Sequence, residues 1–447
     1  MTLGADPHLE VALTGSWLDR LVARFLARFG VTAYHGTLSV FDQLVVGGSR
    51  LLTSIIVGRA CGPEELGDYA LGFVLFCFAV CVQTGLISLP YTLYYNYFEG
   101  DERRAYSGSM LVHLAVLGLA ATATLGLVGG AFAWGYGPPE LAPLVGILAI
   151  TFPLVFLQEF ARRFALARLE MRTVLSVDIA MAVIQVGGLA VLAALGWLSA
   201  IGAFAAMGVG AAIAGITWLV CAQRLFLIRR ARLWADAKRN WRSGRWMLVS
   251  QLILATRVHS ELWLVALLMD ITSTGIFAAC EVLVRLSTPF PIAVANILFP
   301  SAASAYAQGD TSKVRRLVRQ SAAVLCAGAL PFCLLFALFG AVLLTKLYGN
   351  AFAGQGVVVS LLALGVVADA VDTAASNGLF GIGRPNVHFY ATALGTMITL
   401  AVSVVLIPRW GLIGAAQGRL VGRCFTSGVQ WVAFFQLSNR LAPGELS

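Results

Sequence analysis

Charge is scarce in this chain. Only 12% of its 447 residues are Asp, Glu, Lys or Arg, 59% are hydrophobic, and the mean hydropathy is +0.83. A soluble domain of this length could not keep so much apolar surface from water, so that class is excluded. Metal-ligand patterns are missing too. The histidines are scattered at His8, His35, His113, His259 and His388, and the cysteines (Cys61, Cys77, Cys81, Cys221, Cys280, Cys326, Cys333, Cys424) form no CxxC pair and no His-containing cluster. Zinc, iron–sulfur and disulfide readings fail, and no metal or cofactor is expected. There is no HExxH, GxSxG or P-loop and no sizeable soluble segment to hold one, so the expectation is a protein that is not an enzyme. Without a nucleotide site, any transport must draw on ion gradients, substrate gradients or membrane potential. Residues 1–15 lack the apolar core of a secretory signal and read as a loose tail.

Long apolar runs, by contrast, fill the chain. Stretches of roughly 20 residues lie near 37–58, 69–91, 107–132, 141–159, 173–195, 200–222, 247–269, 275–303, 318–346, 355–381, 387–407 and 411–437. With the N-terminus inside, roughly 23 of the 31 Lys and Arg fall in cytoplasmic segments. The heaviest load is Arg224, Arg229, Arg230, Arg232, Lys238, Arg239, Arg242 and Arg245, between spans six and seven. The net charge of +9 is mostly a topology signal, and without a soluble basic domain a nucleic-acid partner is not expected. The expected site is the cell inner membrane, multi-pass, with both termini cytoplasmic. Residues 16–30 read as an amphipathic helix on the cytoplasmic leaflet, with Leu18, Leu21, Val22, Phe25 and Phe29 opposite Arg20, Arg24 and Arg28.

Two halves carry one skeleton. Gln43 precedes Gly67, Tyr69 and Ala70; Gln251 precedes Gly275, Phe277 and Ala278 at identical separation. Pro90 leads to Gly100-Asp101, and Pro300 to Gly309-Asp310 with one residue fewer between. Six spans per half means both halves enter the membrane in the same direction, related by an axis along its normal, and such duplicated bundles are the architecture of secondary transporters. The expected fold is all-α, a polytopic membrane protein of about twelve transmembrane helices in two pseudo-symmetric six-helix lobes. The expected divisions are 1–35 (tail and interfacial helix), 36–225 (first lobe), 226–246 (basic linker), 247–437 (second lobe) and 438–447 (tail). Gly196-Trp197-Leu198 and Trp410-Gly411-Leu412, ahead of the last span of each half, read as tight turns.

Ionisable groups inside lipid need a partner or an aqueous cavity. Span one holds Asp42, Gln43 and Arg50; span five Asp178; span seven Arg257, His259 and Glu261. Span eight holds Glu281 and Arg285, span ten Asp369 and Asp372, and span twelve Arg419 and Arg423. Arg257–Glu261 and Glu281–Arg285 are each four apart and can pair on one helix face. Arg50, Arg419 and Arg423 have no acid at that spacing and need either a carboxylate from another helix or an anion in a cavity. Arg50 and Arg257 occupy nearly matching places in the two halves, and a facing arginine pair suits a diphosphate. Asp369 and Asp372 share a face; they either couple a proton or ion or neutralise Arg419 or Arg423. The run from Pro90 to Phe98 reads as an interfacial aromatic belt or as a platform for sugar stacking.

These stretches resemble the polysaccharide-exporter branch of the multidrug/oligosaccharidyl-lipid/polysaccharide superfamily, which includes O-antigen and lipid II flippases. The resemblance rests on Phe41-Asp42-Gln43, the run from Gly62 to Ala70 (Gly-Pro-Glu-Glu-Leu-Gly-Asp-Tyr-Ala) and Gln158-Glu159-Phe160-Ala161-Arg162-Arg163. In the second half it rests on Phe299-Pro300-Ser301, Gly309-Asp310 and the run from Trp410 to Ala416. It implies a flippase for a polyprenyl-diphosphate-linked oligosaccharide, such as a lipopolysaccharide O-antigen precursor, working by alternating access. Membrane lipids, polysaccharide polymerases and glycosyltransferases would be its partners. Arg50, Arg257, Arg419 and Arg423 are the candidate substrate ligands; Asp42, Asp369, Asp372, Glu261, Glu281 and Arg285 are candidates for coupling or charge pairing. The competing reading within the superfamily is a proton- or sodium-coupled multidrug or cation antiporter.

Overall fold

The computed structural model describes residues 17–136, 141–287 and 289–440, without side chains for 17–36, for 440 and for several positions between 289 and 300. The tail at 1–15 and most of that at 438–447 lie outside the described residues. Among those described, every regular element is helical. The elements are α1 (Trp17–Cys61), α2 (Pro63–Tyr97), α3 (Gly100–Ala133), α4 (Ala142–Ala167), α5 (Met171–Ala194) and α6 (Ala200–Leu225). They continue as α7 (Arg230–Leu268), α8 (Ile271–Val284), α9 (Pro289–Ala307), α10 (Thr311–Tyr348), α11 (Gly356–Gly381) and α12 (Pro385–Arg440).

Among the described residues, ten helices are long and apolar enough to cross a membrane. The expected eighth span is divided into α8 and α9 by a tight turn at Arg285–Ser287. α12 holds the last two spans, because Pro408 cannot continue the hydrogen-bond ladder and Gly411 turns the chain at φ 56°, a left-handed conformation open to glycine. The two arms then pack backbone to backbone. A Cβ on Gly418 would lie 2.1 Å from Ser403 Oγ, one on Gly422 1.7 Å from Thr399 Oγ1, and one on Gly395 1.8 Å from Thr426 Oγ1. In lipid, where apolar burial gives no drive between helices, such small-residue seams let van der Waals contact hold them.

Among the described residues, three apolar cores organise the bundle. The largest is shared by both halves and lies toward the face opposite the termini: Val57, Leu66 and Val74 from the first half with Phe277, Val284, Phe336 and Tyr348 from the second. Toward the face of the termini the halves have separate cores. One contains Tyr91, Tyr106, Phe160, Phe164 and Trp218; the other contains Leu298, Ala302, Val318, Ala374 and Phe434.

The repeat glycines explain the shared core. A Cβ on Gly67 would sit 2.1 Å from the Ile271 carbonyl oxygen, and one on Gly275 would sit 1.8 Å from that of Pro63. Pro63 and Ile271 are themselves related by the Gln43-to-Gln251 offset. The contact is therefore reciprocal, as a two-fold axis between equivalent patches requires. Around it Ser54 and Tyr348 share a hydrogen bond of 3.0 Å, and Arg59 donates to the Lys346 carbonyl at 3.1 Å.

Both basic flanks differ from expectation in one respect: each is continuous with the span it precedes. α1 is helical from Trp17, so the segment expected to lie flat at 16–30 runs directly into span one, with its side chains outside the described residues. α7 begins at Arg230 and carries the basic linker straight into span seven. Its first half is fastened to the first half of the chain: Asn240 accepts from Tyr106 Oη at 2.9 Å, and Gly85 meets the Leu248 backbone so closely that a Cβ would lie 2.5 Å away. Gly85 sits in a π turn of α2 (Thr84–Ser88), a local widening that brings its backbone outward. At the other loop, Asp310 caps α10, its carboxylate accepting Ser312 Oγ at 2.7 Å and the Lys313 N–H at 2.8 Å. Those bonds hold its carboxyl below the usual carboxylate range.

Candidate functional site

Among the described residues, most charges inside the spans gather in two clusters, and Arg50 stands outside both. In the first half, Arg162 on α4 gathers three carboxylates. Its Nε donates to Asp178 Oδ2 at 2.7 Å, its Nη2 to Asp42 Oδ2 at 3.2 Å, and its Nη1 to Glu159 Oε1 at 3.4 Å. Gln158 Nε2 binds the other Asp178 oxygen at 3.0 Å. A cavity of about 240 Å³ adjoins the cluster, lined by Ser39, Asp42, Gln43, Arg162 and Arg163. Asp42 Oδ1 is buried there without a hydrogen-bond partner. Three acids around one guanidinium leave the cluster short of positive charge, a costly state in lipid without a bound cation, a proton or water.

The second half is balanced. Arg257 Nη2 reaches Asp372 Oδ2 at 3.0 Å and Asp369 Oδ1 at 3.5 Å. Arg423 Nη1 closes on Asp369 from α12. Arg419 Nη2 donates to Glu281 Oε1 at 2.8 Å and its Nε lies 3.8 Å from Glu261, while Arg285 Nη2 binds Glu281 at 2.5 Å. A cavity of about 160 Å³ opens beside them, lined by Val258, Glu281, Arg285, Asp369, Arg419 and Arg423. The Arg285 side chain is 40% exposed.

Arg50 stands apart. It is exposed, has no acidic partner among the described residues, and lies over the Phe73 ring at 5.5 Å. Arg50 and Arg285 are both within electrostatic reach of Cys77 on α2 and of His259 on α7. Arg50 rests on α2, and Arg285 follows α8, the helix that packs against α2 through Gly67 and Gly275, so both flank the contact between the halves.

Set beside the sequence reading, the geometry distributes the candidates unevenly. Arg257 does not pair with Glu261, four residues on; it binds Asp369 and Asp372 from α11, which removes it from facing Arg50 as an uncommitted cation. Of the three arginines that lacked acids at helical spacing, Arg419 and Arg423 find them on other helices and Arg50 does not. Glu281 and Arg285 do pair along one face. The C-terminal candidates come together in one cluster, whereas Asp42 belongs to the other. Arg162 and Glu159 stand out in the sequence only within the stretch that carries the family resemblance; their spacing of three near the C-terminal end of α4 is the signal it offers. The aromatic run divides: Tyr91 and Tyr95 are buried core, and Tyr97 is exposed.

Residues 56–355 match the sequence family described as "Polysaccharide biosynthesis protein". The chain belongs to this family. The family match over most of the chain, with the relatives that follow, bears out the resemblance to the flippase-like branch of the multidrug/oligosaccharidyl-lipid/polysaccharide superfamily. Among curated relatives, the probable flippase AglR of Haloferax volcanii is 30% identical over 166 residues, 36% of this chain and 35% of AglR. The chain spans about a third of the length of the curated relatives it matches. Among solved structures, the inward-facing conformation of a multidrug resistance MATE family transporter superposes with a TM-score of 0.78 at 14% identity, over 90% of this chain and 96% of that one. The outward-facing conformation gives 0.67 at 14% identity, over 98% and 99%. The lipid II flippase MurJ, in an inward closed conformation, gives 0.70 at 12% identity, over 91% and 90%. At these identities the likeness concerns the fold, which is that of a MATE-like transporter.

Proposed function

We propose that this protein is an alternating-access flippase carrying a lipid-diphosphate-linked oligosaccharide, of the polysaccharide or O-antigen precursor type, across the inner membrane. The observation that carries the reading is the position of Arg50 and Arg285, flanking the contact between the halves. A bundle joined on one face, with separate cores on the other that α7 bridges, would present a cleft to one side of the membrane, and rocking the halves about the joint would present it to the other. An exposed guanidinium at that level is costly unless water or an anion meets it. Diphosphate oxygens accept paired hydrogen bonds from guanidinium groups, so Arg50 and Arg285 would hold the headgroup, with Arg419 sharing Glu281 and so leaving part of the Arg285 charge for an anion. Arg257, engaged by Asp369 and Asp372, would set the position of α7 rather than touch substrate. The lipid tail would stay in the bilayer while the sugars cross the cleft. A glycosyltransferase would supply the substrate and a polymerase would consume it.

A second reading has its own observation. The acid-rich cluster of Asp42, Glu159 and Asp178 around Arg162 suits cation binding, and a MATE transporter is among the fold neighbours, so proton- or sodium-coupled efflux of cationic molecules is the alternative. Proteoliposomes separate the two. Under the first reading, Arg50→Ala lowers translocation of a lipid-diphosphate oligosaccharide at least about tenfold, equivalent to about 1.4 kcal/mol. Translocation unchanged by Arg50→Ala would sink that site. Cation efflux driven by a pH gradient and abolished by Asp42→Asn, with no lipid translocation, would establish the second reading instead.

A further inference from the structure

We propose that the outward face of the first half of α7 is a binding site for anionic phospholipid headgroups. This inference is independent of what the cleft transports. One face of the helix is fully committed to protein: Asp236, Asn240 and Gly244, spaced four apart, are buried against α2 and α3. The packing is specific. Tyr106 donates to Asn240, a Cβ on Gly244 would lie 3.0 Å from the Gly85 carbonyl oxygen, and His113 Nε2 contacts the Leu233 carbonyl at 3.1 Å. Arg232 and Arg239 flank the Phe98 ring at 5.0 Å each, and Glu102 pairs with Arg229 and Arg232. The helix cannot roll without breaking these contacts, so the direction of its other face is fixed.

That other face carries three tryptophans and three cations. Trp234, Trp241 and Trp246 are 81%, 56% and 68% exposed, and Lys238, Arg242 and Arg245 are exposed between them. Lys238 and Arg242 have no acidic partner among the described residues, and Arg245 stacks on Trp246 at 5.7 Å. Large aromatic surface is not left at this exposure for water; Trp and cations together are the composition of the headgroup layer, where the ring lies among the upper acyl chains and the cation meets phosphate. The packing sets the depth. His113, which meets Leu233, lies about 9 Å along α3 from the start of its apolar stretch at Ser107, counting about 1.5 Å per residue. The linker is therefore seated at the membrane boundary rather than projecting from it. Charge complementarity selects an anionic lipid such as phosphatidylglycerol over a zwitterionic one.

The test uses the full chain in nanodiscs or detergent with phosphatidylglycerol or phosphatidylcholine, read by native mass spectrometry of retained lipid and by thermal unfolding. The wild type should retain phosphatidylglycerol and be stabilised by it, with the effect weakening as salt rises. Neutralising Lys238, Arg242 and Arg245 together (to Gln) should lower apparent affinity for phosphatidylglycerol about a hundredfold while leaving the Tm in phosphatidylcholine unchanged. Trp234→Ala with Trp241→Ala should weaken retention of both lipids. A control pair on another basic segment, Arg315→Gln with Arg316→Gln, should leave phosphatidylglycerol retention as in the wild type. Equal retention by the triple variant, or an equal loss in the control pair, overturns the site.

Discussion

Arg50 stacks on Phe73 beside Cys77; 208 residues on, at the Gln43-to-Gln251 offset, the same three places hold Val258, Glu281 and Arg285. The backbone of the repeat is kept while its chemistry is exchanged. In the first half the exposed guanidinium comes from span one and rests on a ring. In the second it comes from the end of α8 and is braced by Glu281, which Arg419 also holds. Duplication keeps the contact between the halves, and divergence at a few positions changes the charges beside it. The buried clusters differ in the same way: one arginine among three acids on one side, arginines matched by acids on the other.

The sharpest way to test that contrast is to remove the centre of each cluster. Arg162→Ala leaves Asp42, Glu159 and Asp178 facing one another, and should destabilise the protein by about 3–5 kcal/mol in detergent unfolding. Adding Asp178→Asn should recover part of the loss. Arg419→Ala strands Glu261 but leaves Arg285 on Glu281, so its cost should fall below that of Arg162→Ala. A larger loss from Arg419→Ala would reverse the comparison.

Next come the repeat glycines, where the halves are alike. Gly275→Ala places a methyl group against the Pro63 carbonyl, and Gly67→Ala does so against Ile271. Each should disfavour the joined state by about 1–3 kcal/mol. Cysteine labelling near Tyr348, on the face opposite the termini, should rise by a similar factor in both. Unequal responses would argue against a two-fold axis at this contact. Arg50→Ala should lower stability by no more than about 1 kcal/mol, the loss of one exposed cation–π contact, so its effect on transport can be read without unfolding. The smallest effect is at Asp310, which caps α10. A carboxyl held below its usual range stabilises the fold above its unfolded-state pKa and loses that contribution as pH falls through the lower folded value. Asp310→Ala should therefore lower Tm slightly at neutral pH and not at all in strong acid.

The long apolar helices and the repeat were legible, except that the eighth span is broken into α8 and α9, because hydropathy and glycine spacing are local properties of the chain. So was the Glu281–Arg285 pair, since an i, i+4 spacing fixes the meeting on one helix. Partners drawn from other helices were not. Arg257 lies four residues from Glu261, yet α11 brings Asp369 and Asp372 closer, and no spacing along the chain encodes that register. Arg162 was hidden for the same reason: its acids come from spans one, four and five. The linker cations read as a topology signal, because the direction of the face they share with Trp234 and Trp241 depends on Tyr106 and Gly85 packing behind it.

The central claim is that Arg50 and the partly exposed Arg285, at the edge of the second cluster, meet the substrate, and that the enclosed Arg257 does not. Binding of a polyprenyl diphosphate to purified protein tests it most directly, comparing the wild type with Arg50→Ala/Arg285→Ala and with Arg257→Ala. The cleft double variant should bind at least about tenfold more weakly with its fold intact, and Arg257→Ala should lose stability before affinity. Wild-type affinity in the double variant, or a selective loss of affinity in Arg257→Ala, would contradict the account.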